Sequence, residues 1–228
     1  MDPVCKRFSV GEKGDVVSAL YLSPKGARRL LVLGHGAGAG MRHPFLEKVS
    51  QELAQRGMAT LRYQFPYMEH RLKRPDRQPV LLETVRKAVV CAAECLPGVP
   101  LLAGGKSMGG RMTSLAAADA DLPGVMGIVF LGFPLHPAGK PSVERSEHLY
   151  RVPQPMLFLQ GTRDKLADLS LLQPVCKSLG PRITLQVFEG ADHSFHLPRS
   201  TGNAGEAMHA QLAEAVAVWA ETLPLNPA

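Results

Sequence analysis

Gly105-Lys106-Ser107-Met108-Gly109-Gly110 stands at the junction of two differently patterned stretches. Before it, Pro100–Ala103 is a short apolar run that reads as a buried strand. After it, Ser107–Ala120 reads as a helix. A strand that turns into a helix within so few residues leaves room only for small residues two before and two after the serine, and glycines stand at both places. Such a turn lifts the Ser107 hydroxyl above the carboxyl end of a sheet. The helix N-terminus beneath it favours negative charge developing there.

Outward from this turn, apolar and β-branched runs alternate with longer helical patterns. Lys6–Val10 and Asp15–Leu22 read as two short strands joined through Gly11–Gly14. Arg29–Leu33 is a continuous apolar run, as in a strand buried on both faces. His43–Arg56 has a helical period stopped by Gly57. Met58–Tyr63, Val125–Leu131, Pro155–Gln160 and Ile183–Phe188 read as strands. Gln78–Leu96, Leu169–Leu179 and Ala204–Leu223 read as helices. The alternation predicts an α/β fold: a mostly parallel sheet of roughly eight strands with helices on both faces, the first hairpin adding antiparallel edge strands. Residues 1–228 are expected to form a single domain. The longest irregular stretch, Gly132–Gln154, is too short for a cap domain.

A serine needs a base to become a nucleophile, and the base needs an orienting group. In a sheet of this kind they follow in the order serine, acid, histidine. The strand Pro155–Gln160 runs into Gly161-Thr162-Arg163-Asp164, and the strand Ile183–Phe188 into Glu189-Gly190-Ala191-Asp192-His193. Ser107, Asp164 and His193 are therefore the candidate catalytic residues, with Asp168 and His196 as rival acid and base. A helix-capping role for Asp164 is the alternative reading. An oxyanion hole is expected from the backbone N–H of Met108 and one N–H of the loop Gly34-His35-Gly36-Ala37-Gly38-Ala39-Gly40, that of Ala37. His35 is expected to fix this loop rather than act as a base.

Three competing motifs fail. Gly105-Lys106-Ser107 resembles the end of a phosphate-binding loop, but the full pattern needs a glycine where Pro100 stands. Gly34-x-Gly36-x-x-Ala39 resembles a dinucleotide fingerprint, but the next strand ends in Arg62-Tyr63-Gln64, without the acidic residue required. Asp192-His193-x-x-His196 has no further ligand cluster, so no metal and no cofactor is expected.

The chain has 228 residues and a formal net charge of +6, with a pI of about 9.3. Arg62, Arg71, Lys73, Arg74 and Arg77 against Glu69 and Asp76 form a local basic cluster over residues 62–77. It is expected on the rim near Ser107 and is read as a solvated loop, because few aromatic residues accompany it; no nucleic acid is expected. Cys5, Cys91, Cys95 and Cys176 show no zinc spacing, and free thiols suit a reducing compartment. The N-terminus lacks a basic-then-apolar secretory pattern. No apolar run approaches the roughly 18 residues needed to span a bilayer. A cytoplasmic protein without membrane attachment is the expectation.

Five segments together resemble one family: His35-Gly36-Ala37-Gly38, Phe65-Pro66-Tyr67-Met68, Gly105-Lys106-Ser107-Met108-Gly109-Gly110-Arg111, Phe133-Pro134-Leu135-His136-Pro137 and Gly190-Ala191-Asp192-His193-Ser194-Phe195. They are similar to the small α/β-hydrolase-like proteins related to testis-expressed protein 30 and to subunit 3 of the NSL chromatin complex, over about residues 5 to 222. The resemblance implies the α/β-hydrolase fold and a triad at Ser107, Asp164 and His193. It also implies that His136 lines the active-site rim; Tyr67 is carried with it as a substrate-binding candidate. The cysteines lie away from the turn, which excludes a cysteine nucleophile of the dienelactone-hydrolase kind.

Together these readings point to a serine hydrolase acting on an ester or thioester of a small-molecule acyl substrate. The alternative is a non-catalytic hydrolase fold that binds a partner or ligand, an option raised by the chromatin relatives.

Overall fold

Leu31 and Leu33 pack to one side of their strand, Leu30 and Val32 to the other, and all four are buried. A strand covered on both faces has no polar side to present, so its sequence reads as unbroken apolar residues. Leu102, Val129, Leu131, Leu157 and Leu159 join the first side; Leu101, Ala103, Ile128, Phe130, Met156 and Phe158 join the second. The period of two within each run thus sorts one sheet's side chains into two cores.

The computed structural model describes residues 1–11, 14–198 and 204–224, with residues 204–206 as backbone alone. The strands are β1 (Val4–Val10), β2 (Asp15–Leu22), β3 (Arg29–Gly34), β4 (Met58–Tyr63), β5 (Leu101–Lys106), β6 (Val125–Leu131), β7 (Met156–Gly161) and β8 (Ile183–Phe188). The helices are α1 (Pro44–Gln55), α2 (Pro66–Glu69), α3 (Gln78–Cys95), α4 (Met108–Asp119), α5 (Leu169–Leu179) and α6 (Ala204–Glu221). The strands form one sheet in the order β1-β2-β4-β3-β5-β6-β7-β8. β1 and β2 pair antiparallel, as do β2 and β4; every other pairing is parallel. One core is closed by Leu46, Val49 and Leu53 of α1 and Leu212, Val216 and Trp219 of α6. The other is closed by Val85 and Val89 of α3, Met112 and Ala116 of α4, and Leu172 and Val175 of α5.

This is the α/β-hydrolase architecture without a cap among the described residues. Because β3 and β5 to β8 run parallel, the loops after β3, β5, β7 and β8 all emerge on one rim. The chain reverses its direction of travel between β3 and β5, where open α/β sheets form their ligand crevice.

The structure departs from the sequence reading at a few places. Only β1 of the first hairpin lies at an edge, because β2 pairs with β4. Gly14 N–H donates to Gly11 O at 3.0 Å, while residues 12 and 13 of that turn lie outside the described residues. β5 runs on to Lys106, beyond its apolar stretch. Its last residues lack apolar side chains for a steric reason: a Cβ on Gly104 would collide with the Val129 carbonyl, and one on Gly105 with the Gly34 carbonyl oxygen. The four-residue α2 and a 3-10 helix at Glu144–Arg151, inside the stretch read as irregular, are additional. No helix among the described residues is long and apolar enough to cross a membrane.

The glycine contacts carry a stability prediction. In Gly105→Ala the new methyl group meets backbone rather than a movable side chain. A loss of about 3 kcal/mol, the upper end of ordinary overpacking costs, is expected, visible as a lower midpoint in urea. An unchanged midpoint would mean that β3 and β5 separate freely.

Candidate active site

Ser107 caps α4 with φ 50° and ψ −113°, a conformation with positive φ on a side chain that carries a Cβ. Such backbone costs of order 1–3 kcal/mol and survives only where the surroundings fix it. They do so here from both sides. The Ser107 N–H donates to Leu131 O at 3.2 Å, tying the turn to β6. Gly109 lies so close to Gly34 that a Cβ on it would collide with the Gly34 carbonyl, as one on Gly105 would. The first turn of α4 is thus pressed against the end of β3, and the serine between the two glycines has no relaxed alternative.

His193 Nε2 lies 2.8 Å from Ser107 Oγ, and His193 Nδ1 lies 2.7 Å from Asp164 Oδ2. A carboxylate only accepts, so Nδ1 carries the proton and Nε2 accepts from the serine hydroxyl. Asp164 has no exposed side-chain surface, and His193 is partly exposed. The carboxylate is held by more than the imidazole: Leu166 N–H donates to Oδ1 at 2.8 Å, and Gln160 Nε2 donates to Oδ2 at 2.5 Å. Gln160 is fully buried in β7, and its Oε1 accepts from Phe133 N–H at 3.0 Å. Gln160 was missed in the sequence. Its signal was a glutamine closing the apolar run Met156–Leu159, where a buried amide must find partners.

Asp168, the rival acid, is the N-cap of α5 and accepts from Ser170 N at 2.9 Å and Ser170 Oγ at 2.7 Å. His196, the rival base, has a largely exposed side chain 3.8 Å from Asp192. Asp192 itself closes the turn that carries His193, accepting from the N–H groups of Ser194 and His196 at 2.8 and 2.9 Å.

Two expected substrate contacts need correction. Tyr67 is fully buried, and its hydroxyl accepts from Gly38 N–H at 3.0 Å; it holds the loop after β3 from behind. His136 is also buried. Its Nδ1–H donates to Pro137 O at 2.9 Å, and its Nε2 accepts from Asp168 N–H at 3.0 Å, which leaves no ring nitrogen for a ligand. Both were placed at the rim by a motif resemblance, which locates a residue near a loop but not on its wet side. His35 has the same type of role. Its Nδ1–H donates to Gly36 O at 2.8 Å and its Nε2 accepts from Phe65 N–H at 3.2 Å. Burial pushes its imidazole down to about 4. Arg62, counted with the basic cluster, is buried and donates to Met41 O at 3.3 Å. The exposed Arg71, Lys73, Arg74 and Arg77 do not line the Ser107 cavity.

That cavity encloses about 420 Å³. Ser107, His193, Lys106, Ala37, His43 and His196 line it together with the apolar Phe45, Leu46 and Leu166. Ala37 thus shares a wall with the serine. The Met108 N–H opens α4 and has no carbonyl of its own helix to bond. A larger depression of about 1020 Å³ lies between β8 and α6, and none of Ser107, Asp164 and His193 lines it. Among the described residues no cluster of three or more His, Cys, Asp or Glu could hold a metal ion.

Residues 27–221 match the family described as "Alpha/beta hydrolase domain". The chain belongs to the α/β-hydrolase family. Solved structures share the fold across nearly the whole length. A dienelactone hydrolase from Anabaena variabilis aligns with a TM-score of 0.74 at 19% identity, covering 98% of this chain and 99% of that one. An α/β serine hydrolase without a lid from Xanthomonas campestris aligns at 0.72 and 20%, covering 100% and 98%. The esterase domain of a Rhodothermus marinus protein aligns at 0.72 and 17%, covering 98% and 99%.

Burial of two histidines in this hydrolase fold sets a pH dependence. His35 and His148 are both pushed down to about 4, mainly by desolvation, whereas an unfolded histidine titrates near 6.5. With the folded value below the unfolded one, their contribution is complete above about 6.5 and is lost as pH falls towards 4. At pH 5 unfolding should therefore take up about two protons through this pair. His35→Asn is expected to reduce that uptake by about one, measured from urea midpoints between pH 4.5 and 6. An unaltered slope would contradict the neutral, buried state of His35.

Proposed function

We propose that this α/β-hydrolase is a serine hydrolase that cleaves a small ester or thioester through Ser107, His193 and Asp164, with residues 1–228 acting as one catalytic domain. The observation that carries the reading is the unbroken hydrogen-bond chain Ser107 Oγ–His193 Nε2, His193 Nδ1–Asp164 Oδ2, at 2.8 and 2.7 Å.

In the proposed reaction, Ser107 Oγ attacks the acyl carbonyl carbon as its proton passes to His193 Nε2. The imidazolium so formed is stabilised by Asp164, whose other oxygen and second lone pair are already satisfied by Leu166 N–H and Gln160. The Met108 and Ala37 amides receive the carbonyl oxygen as it gains charge, helped by the positive end of α4. Collapse of the tetrahedral adduct expels the alkoxide or thiolate, which takes the proton from His193. A water molecule then attacks the acyl-serine, again with His193 as base, and releases the acid. No cofactor is called for. Phe45, Leu46 and Leu166 offer an apolar wall to a short acyl group. The absence of a cap among the described residues suits small substrates that need little enclosure. The narrower kinship with the testis-expressed protein 30 group belongs to this proposal and rests on the five quoted segments. The free thiols of Cys5, Cys91, Cys95 and Cys176 support a reducing, cytoplasmic setting.

Turnover of a panel of short-chain p-nitrophenyl esters and acyl thioesters tests the reading. Ser107→Ala is expected to reduce the rate to background, and Asp164→Asn to lower kcat by about 10²–10⁴, since an asparagine no longer fixes the tautomer of His193. Undiminished turnover in Ser107→Ala would discard this mechanism. If the wild type turns over none of the panel, a non-catalytic binding role takes its place.

A further inference from the structure

Among the described residues, Lys106 is the one lysine or arginine in the wall of the cavity, and the proposed mechanism does not use it. It is the last residue of β5, immediately before the serine, and its stem passes the loop after β3. Its Nζ donates to the His193 carbonyl oxygen at 2.5 Å and lies 5.8 Å from the centre of the Phe195 ring. Phe195 is one of three residues other than glycine with positive φ among those described, at 62°. Its ring is buried against Phe45 and Phe188, with each ring centroid 5.8 Å away. The turn that carries His193 is therefore anchored by the buried Phe195 ring and by an ammonium group that bonds the His193 carbonyl.

We propose that Lys106 is a positioning residue for His193: its ammonium, delivered from the nucleophile's own strand, holds the strained 192–196 turn by the His193 carbonyl and so fixes the base relative to Ser107. The inference rests on the reading of His193 as the base of a hydrolase. One observation and two physical arguments favour this use of a lysine. The bond links the elbow and the base loop directly, across 87 positions of sequence. A charge-assisted bond to a carbonyl is about twice as strong as a neutral one. Burying an ammonium is costly, and a methionine would fill the same space without that cost.

The charged groups facing Nζ are Asp164 from the loop after β7 and Asp192 from the loop after β8, with His193 between them; the packing glycine after β6, Gly132, brings no charge. Burial lowers the ammonium to about 8 against the opposing pull of the two carboxylates. The clamp is accordingly charged at neutral pH and becomes neutral as pH rises past about 8. Hydrolysis should then show an alkaline loss in kcat that belongs to Lys106 and not to the triad.

The test compares wild type, Lys106→Met and Lys106→Gln, each first checked for an unfolding midpoint near that of the wild type. Hydrolysis of p-nitrophenyl acetate is followed from pH 6.5 to 9.5. Deuterium exchange is followed in the peptide containing Phe195 and His196, whose amides bond to Asp192. The expected results are these. Wild-type kcat falls by roughly three- to tenfold above pH 8, in line with the loss of charge assistance. Lys106→Met has a kcat about 10- to 100-fold lower at pH 7, the scale of a misplaced catalytic group, with KM little changed and no alkaline fall. Its 192–196 turn exchanges about tenfold faster. Lys106→Gln, which keeps a neutral donor, shows the same flat pH profile. A wild-type rate that holds to pH 9.5, an alkaline fall that persists in either variant, or unchanged exchange in the turn would overturn the proposal. The exchange measurement needs no turnover. If Ser107→Ala hydrolyses the ester as fast as wild type, the hydrolase reading fails while the clamp is still judged on exchange.

Discussion

The contact on which this structure depends is backbone against backbone. Gly105 and Gly109 meet Gly34 at a distance that no side chain could share. That approach lets β5 turn into α4 within one residue, and it presses the first turn of α4 onto the end of β3. Ser107 is left at the apex in a conformation it would not choose. The same approach brings the loop after β3, with Ala37, to the serine's side of the cavity. One steric allowance in three residues thus sets both Ser107 and the amides nearest to it.

Around that point the fold spends buried polar side chains on loops rather than on ligands. The loops after β3, β7 and β8 are each held by a group that a purely apolar core would not contain. His35 and Tyr67 hold the loop after β3, Gln160 the carboxylate after β7, His136 the segment leading to α5, and Lys106 the turn after β8. An unpaired buried polar group costs about 1–3 kcal/mol, so each such residue specifies one loop geometry and penalises the others. The imidazoles are used as neutral, two-sided connectors: one nitrogen donates while the other accepts. This explains how the carboxyl rim of the sheet presents a serine, an imidazole and a carboxylate in line.

Much of this was legible in the sequence because it follows from periodicity and glycine placement. The unbroken apolar run at Arg29–Leu33 announced a strand covered on both faces, and the position of Asp164 and His193 just past strand ends was enough to bring them to the serine's rim. What stayed hidden depends on which way a side chain turns. Tyr67 and His136 look like cavity residues by motif, yet each points into the protein. Arg62 counts with a basic cluster by charge, yet it is buried in β4 and donates to the Met41 carbonyl oxygen. Gln160 carries no motif, and the motif around Lys106 says nothing of where its side chain goes; their importance lies in partners 4 and 87 positions away. The last residues of β5 were invisible as strand because the property that made them glycine is a neighbour's backbone, which no local pattern records.

The central claim is that the hydrogen-bond chain from Ser107 to Asp164 activates the serine. Incubation with a fluorophosphonate probe, followed by mass mapping of the adduct, addresses it without knowledge of the substrate. The account predicts a single phosphonyl group on Ser107 in the wild type and none on the protein in Ser107→Ala or His193→Ala. A folded wild type that takes up no probe at Ser107, or a His193→Ala variant labelled as fast as wild type, would contradict it.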